Sequence, residues 1–207
     1  MTSKKQKYLL HATALLIVVI WGTTFVSTKL LLNNGLAPQD IFFYRFALAY
    51  IGIWFFGLLP VPGESNLLKH KFFAKNIGDE LRMAALGVTG GSIYFLTENM
   101  ALEYTLASNV ALLVSVAPIL TAIAVHFFTR GERLNRNVVA GSALAFLGVA
   151  FVVFNGNFIL KMSPAGDLLS LAAASCWAVY TVILKGLSKK YSSLLITRKV
   201  FFYGLLT

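Results

Sequence analysis

The sequence is short of charge and of the residues that carry most chemistry. Only 13% of its 207 residues are charged, and just eight are acidic. A water-soluble domain of this length needs more polar surface to stay dispersed, so an ordinary soluble fold is excluded. There is one cysteine, Cys176, inside an apolar stretch. Standing alone, it excludes an intrachain disulfide and any multi-cysteine metal site, and it says nothing of redox compartment. The three histidines, His11, His70 and His126, are scattered. No HExxH, phosphate-cradling glycine loop or nucleophile elbow is present. The sequence therefore points away from catalysis and calls for no metal and no cofactor.

What is present is apolar. Hydrophobic residues make up 57% of the chain. They fall into blocks of about 20, the length that spans a bilayer as a helix. Seven blocks are read, at 9–32, 39–60, 81–102, 106–129, 137–157, 166–187 and 194 to the end. Between them lie connectors with the Gly, Pro and Asn of helix ends, such as Asn33, Asn34 and Gly35 with Pro38. The expected fold class is an all-α membrane protein, a multi-helix transmembrane bundle. The first block is too long for a signal-peptide core and lacks a small-residue cleavage site, so it reads as a retained helix.

The net charge of +10 does not indicate nucleic acid, because the basic residues form no stripe interleaved with exposed aromatics. They sit at block ends. Lys4, Lys5 and Lys7, then Lys69, Lys71, Lys75 and Arg82, then Arg130, Arg133 and Arg136, then Lys189 and Lys190 all fall on one side, with Lys161 the exception. By the positive-inside rule this puts the amino terminus in the cytoplasm and the chain in the cytoplasmic (inner) membrane as a multi-pass protein.

The stretch WGTTFVSTK, Trp21 to Lys29, has a counterpart in WAVYTVILK, Trp177 to Lys185. With those pairs aligned, a linker three residues shorter brings Arg45 onto Arg198. The second copy begins after five helices, an odd number, which predicts an inverted repeat. The expected organisation is a first five-helix repeat over 1–160 and the start of an inverted second repeat over 161–207. The two lysines have a plain role as well, extending to water at the membrane surface.

Buried charge costs at least a few kcal/mol in hydrocarbon, so ionisable groups at depth are the functional candidates. Arg45 lies about 10 Å into helix 2, counted from Pro38 by helical rise, and reads either as a pocket charge or as a snorkelling residue. Glu98 lies near the outer end of helix 3; it reads either as a proton-coupling carboxylate or as an ordinary capping charge, and the two are placed to pair. Trp21, Phe25, Tyr94, Trp177 and Tyr180 are aromatic candidates for lining a substrate pathway, with packing as the alternative. Asn109 and Ser115 are the polar groups of helix 4 placed to face a cavity, or else to bond between helices. Ala107, Ala111 and Ser115, and Gly141, Ala145 and Gly148, read as small-residue helix contacts. Pro118 predicts a kink. Glu132 reads as a partner of its neighbouring arginines.

Four runs cover most of the chain: VVIWGTTFVSTK, PQDIFFYRFAL, ALEYTLASNVALLVSVAPILTAIAVHFFTRGERLNRNVVAGSALAFLGVAFVV and GDLLSLAAASCWAVYTVILK. Together they resemble the EamA branch of the drug/metabolite transporter superfamily. The resemblance implies alternating-access transport of small organic metabolites, amino-acid-like or amphipathic, with export the direction and the site between helices 1, 3, 4 and 6. The implied partners are a small-molecule metabolite and the lipid bilayer. It also implies ten helices, whereas this sequence stops at Thr207 inside its seventh block, so a fragment or truncated product is expected. Two rivals stay open. One is a seven-helix sensor or retinal photoreceptor with Lys199 as its Schiff-base lysine, disfavoured because no carboxylate is read as facing it. The other is a membrane subunit completed by another chain, which expects a homodimer.

Overall fold

The computed structural model describes residues 4–58, 73–129, 136–154 and 163–207. Lys69, Lys71, Arg130, Glu132, Arg133 and Lys161 lie outside the described residues. Helix α1 (Lys4–Asn33) ends where Gly35 takes a φ of +89°. The Gly35 amide donates to Leu32 O and the Leu36 amide to Leu31 O, the two-bond closure that a left-handed glycine permits. Helix α2 (Pro38–Leu58) starts on a proline, whose missing N–H costs nothing in a first turn.

The third apolar block, 81–102, comes in three pieces: α3 (Ile77–Leu86), whose first turn with Asp79 and Glu80 precedes the block, a π-helical stretch over Gly87–Ile93, and α4 (Tyr94–Tyr104). Asn76 caps its start by accepting from the Asp79 amide at 2.8 Å. The fourth span is α5 (Ala107–Val114) followed by α6 (Ala117–Phe128). Then come α7 (Arg136–Phe154), α8 (Pro164–Leu187) and α9 (Ser193–Leu206). Among the described residues there is no strand. Gln6–Asn33, Ala107–Phe128 and Pro164–Leu187 are long and apolar enough to cross a membrane. The protein is an all-α membrane bundle.

Helix α8 is the hub, packed against α4, α5, α6, α3 and the π-helical stretch, while α9 lies on α2, α3 and that same stretch. One core cluster joins Met83 and Leu86 to Leu187, Leu195, Ile196 and Val200. A second holds Ala101, Leu102 and Val110, with Phe25, Leu32 and Leu169 packed on it. Close approach is concentrated at the π-helical stretch. A Cβ on Gly87 would lie 2.4 Å from Tyr203 Cβ, and one on Gly90 2.1 Å from Tyr180 Cδ2. The small-residue contacts expected at Gly141, Ala145 and Gly148 are not made among the described residues. All three are exposed, and nothing lies within 4 Å of a Cβ built on either glycine.

Helices α1 and α8 run antiparallel. The Lys29 ammonium donates to Leu102 O at 2.5 Å and Thr105 O at 3.1 Å. Gly166, at the start of α8, abuts the same Thr105, whose Cβ would be 2.9 Å from a Cβ built there. The late part of α1 and the early part of α8 are therefore at one end of the bundle, and the helices cross where Trp21 meets Trp177. Lys29 does not snorkel to water as expected. It reaches the carbonyls at the end of α4, where the helix dipole favours a cation.

Candidate functional site

Charge and aromatic rings converge on one cavity of about 480 Å³. Helix α1 contributes Val18, Trp21 and Phe25 from one stripe at helical spacing, with Thr24 beside them. Arg45 comes from α2, Tyr94, Phe95 and Glu98 from α4, and Trp177 from α8. The remaining wall is Ala111, Val114, Ser115, Ala117 and Pro118, the residues around the break between α5 and α6.

That break follows from Pro118. A proline has no N–H for the carbonyl four residues back, and its ring crowds that carbonyl. The chain compensates locally: the Ser115 hydroxyl donates to Leu112 O at 2.6 Å, and the Val116 amide donates to Leu113 O at 3.2 Å. The result is a helix interruption rather than the simple kink expected. Irregular backbone at membrane depth is tolerated where it lines a cavity, and this one does.

Arg45 and Glu98 face the same cavity, each steadied by neutral partners. Arg45 Nη1 donates to Thr28 Oγ1 at 3.2 Å, and its guanidinium lies over the Phe95 ring at 5.5 Å. Glu98 is buried and accepts from the Tyr94 hydroxyl at 3.1 Å. The pairing expected of the two charges is replaced by these contacts, which leave both charges on the wall of an apolar space. Trp177 joins the rings together, with centroids 5.9 Å from Trp21 and 5.2 Å from Tyr94, distances at which edge-on and tilted aromatic pairs attract.

Of the residues singled out in the sequence, Trp21, Phe25, Arg45, Tyr94, Glu98, Ser115 and Trp177 meet here. Two do not. Asn109 is buried, with its side-chain amide donating to Thr105 Oγ1 at 3.2 Å, which joins the ends of neighbouring helices. Tyr180 fills the notch over Gly90 and stacks on Trp177 at 5.2 Å. Phe95 and Thr28, which hold Arg45, were not singled out. The signal was available: Thr28 is the polar residue beside Lys29, and Phe95 lies one turn before Glu98.

A second polar cluster, also unanticipated, ties α3 to the following helices. The Glu80 carboxylate accepts from the Lys199 ammonium, from the Tyr203 hydroxyl at 2.5 Å and from the Ala74 amide at 2.6 Å. Lys199 is 1% exposed, and its ammonium lies 4.6 Å from the Phe73 ring centroid. Asp79 accepts from Lys190 with both oxygens at 3.2 Å and from the Tyr191 hydroxyl at 3.0 Å. Burial by itself raises both carboxyl pKa values. For Asp79, hydrogen bonds from Tyr191, Lys190 and Asn76 outweigh it and hold the group below the ordinary carboxylate range. For Glu80, hydrogen bonds from Lys199, Tyr203 and the Ala74 amide do the same. The absence of a carboxylate facing Lys199, read from the sequence, is thus corrected: Glu80, 119 residues earlier, pairs with it.

The EamA-like transporter family model matches residues 9–154. An uncharacterized transporter of Archaeoglobus fulgidus is 29% identical over 199 residues, covering 94% of this chain and 63% of that protein. A probable amino-acid metabolite efflux pump of Escherichia coli is 32% identical over 176 residues, covering 83% of this chain and 52% of the pump. A probable terminal-alkyne amino-acid exporter of Streptantibioticus cattleyicolor is 33% identical over 116 residues, covering 56% of this chain and 38% of the exporter. The chain thus spans from over a third to under two thirds of the length of these relatives. No solved structure matches.

Proposed function

The chain belongs to the EamA-like transporter family, and on that premise we propose that it moves small zwitterionic metabolites of the amino-acid type out of the cell across the inner membrane. The observation that carries this reading is the placing of Arg45 and Glu98 on one aromatic-lined cavity. A guanidinium suits a carboxylate by geometry as well as charge. A carboxylate across the same space suits an ammonium, and Trp21, Phe25, Tyr94 and Trp177 suit an apolar side chain between them. The volume lies within the range of small-molecule sites. Two of the relatives bear names that refer to amino-acid efflux or export, which supports both the substrate class and the direction.

Alternating access is the proposed mechanism, with the amino terminus in the cytoplasm and two inverted halves moving about the site. The antiparallel crossing of α1 and α8 at Trp21 and Trp177 supports the inverted relation. Glu98 is the proposed coupling group: buried, protonatable and in contact with the cavity, it exchanges a proton for the substrate ammonium. Binding is testable on the purified chain, because Trp21 and Trp177 report on the cavity by fluorescence. L-leucine is expected to give a saturable change, and Arg45→Ala to weaken it about tenfold or more, the loss of one charged contact. Isoamylamine, which lacks the carboxylate, is expected to bind weakly and to be indifferent to Arg45→Ala. Undiminished L-leucine binding by a normally inserted Arg45→Ala protein would remove Arg45 from the site.

A further inference from the structure

The break between α5 and α6 sets the hydrogen-bond balance of one wall of the cavity. Val114 closes α5, and Pro118 lies in the first turn of α6. An uninterrupted helix would pair the Val114 carbonyl with an amide at position 118, which proline does not have. The Ser115 carbonyl loses its partner as well, because the Ile119 amide donates to Val116 O at 2.9 Å instead. Among the described residues neither carbonyl accepts a hydrogen bond. On the donor side only the Ala117 amide is left over, since the Val116 amide donates to Leu113 O at 3.2 Å and the Leu120 amide to Val116 O at 3.1 Å. The break therefore offers two acceptors against one donor. Val114, Ser115 and Ala117 all line the cavity.

Unpaired backbone carbonyls at membrane depth are costly unless a cavity supplies them with a donor. The donor they suit is a cation, because the end of α5 also carries the negative pole of its helix dipole. Their depth matches that of Glu98. Helix α4 ends and α5 begins around Thr105, and both pack along α8. Glu98 lies seven residues before Thr105 and Val114 nine after it, so the two differ in depth by only about 3 Å of helical rise. A primary ammonium has three N–H donors, and this level of the cavity offers a carboxylate and two carbonyls.

We propose that the ammonium of the substrate is held by three oxygen acceptors, the Glu98 carboxylate and the Val114 and Ser115 carbonyls, and that the helix break thereby makes the cavity selective for primary amines. The inference rests on the amino-acid reading of the cavity and adds to it a group that counts N–H bonds. Unwound carbonyls and half-helix ends that line a membrane cavity are suited to cations. Glu98 alone would attract an N-methylated ammonium as it does a primary one, since methylation leaves the charge in place. Pro118 then does more than interrupt a helix: it keeps the Val114 carbonyl free for the ligand.

The test is a titration of the purified chain at neutral pH, followed by the fluorescence of Trp21 and Trp177, which line the cavity. The ligands are L-leucine, N-methyl-L-leucine, N,N-dimethyl-L-leucine and α-methyl-L-leucine, all zwitterions. N-methylation removes donors one at a time, whereas α-methylation adds similar bulk beside an intact ammonium. Each N-methyl group is expected to weaken binding about tenfold, the loss of one charge-assisted hydrogen bond, and the α-methyl group by less than about threefold. Pro118→Ala returns an amide to position 118, and is expected to cut the preference for L-leucine over N,N-dimethyl-L-leucine by about tenfold or more. Equal binding of L-leucine and N,N-dimethyl-L-leucine overturns the inference and leaves the amino-acid reading standing. A preference unchanged in Pro118→Ala does the same, because it would then belong to the carboxylate. A loss on α-methylation as large as that on N-methylation would make the preference steric and overturn it too. Absence of any saturable change with L-leucine is a different failure: it removes the amino-acid reading itself, and this inference with it.

Discussion

Glu80→Gln should destabilise the protein far more than removal of the lysine it binds. In the native protein the Lys199 ammonium is 1% exposed and pairs with Glu80. Replacing the carboxylate with an amide removes the negative charge that Glu80 sets against that buried cation. Loss of one partner from a buried pair costs about 3–5 kcal/mol, and the partial exposure of Glu80 favours the lower end, about 3 kcal/mol. At this chain length that is a fall of about 6–12 °C in the unfolding midpoint. Lys199→Met behaves differently, because methionine fills the space among Phe73, Phe202 and Tyr203. Glu80 then keeps the Tyr203 hydroxyl and the Ala74 amide and has an exposed edge. The cost should be about 1 kcal/mol, and the double variant Glu80→Gln/Lys199→Met should be more stable than Glu80→Gln alone. The assay is thermal unfolding in detergent, followed by circular dichroism. The pH dependence has a fixed sign. The Glu80 pKa is lowered in the fold, so its stabilisation is present above the ordinary carboxylate range and is lost as the pH falls through the folded value. Glu80→Gln should flatten that acid limb. Equal midpoints for the two single variants, or a double variant worse than both, would refute the reasoning.

Three further outcomes are expected. Gly90→Val places a side chain against the Tyr180 ring, 2.1 Å from where its Cβ must go, and should cost about 1–3 kcal/mol; in a Tyr180→Ala background most of that increment should vanish, measured by the same unfolding curves. Lys29→Met removes the ammonium from Leu102 O and Thr105 O and should cost about 2 kcal/mol, while Lys29→Arg should recover part of it. Asp79→Asn should weaken the acid sensitivity seen by unfolding below pH 5, because the Asp79 pKa is also lowered in the fold and its stabilisation is lost as the pH falls.

What was legible in the sequence is what hydrocarbon enforces. A charge at depth is costly wherever it lies, so Arg45 and Glu98 stood out without knowledge of any partner, and both reach the cavity. Trp21 and Phe25 stood out likewise as aromatic candidates for a substrate pathway, and both line the cavity. Long-range packing was not legible. Gly90 and Gly141 look alike as small residues in apolar helices, yet only Gly90 has a ring pressed against it. Tyr180 and Trp177 are one turn apart on α8, and only Trp177 lines the cavity, because Gly90 leaves a notch for the tyrosine. Asp79 and Glu80 lie in the first turn of α3, a place where acids are common and signal nothing further. The lysines that pair with them, Lys190 and Lys199, lie more than a hundred residues further on, beyond the reach of any local pattern.

The aligned pairs show why sequence repetition does not duplicate chemistry. Trp21 and Trp177 meet each other, as residues near an axis relating two antiparallel helices must. Lys29 and Lys185 each lie eight positions further along, about 12 Å by helical rise and in opposite directions. One arrives at the carbonyl end of α4 and the other at a cavity beside α3. Arg45 and Arg198 diverge for the same reason. Arg45 finds Thr28, whose aligned counterpart is Leu184 and offers no hydroxyl, while Arg198 lies 4.5 Å over the Trp54 ring contributed by α2. Distance from the crossing point thus decides whether a repeated residue keeps its role. The tryptophans are at the crossing and share one site, whereas the lysines and arginines are displaced from it and take whatever the local neighbours supply.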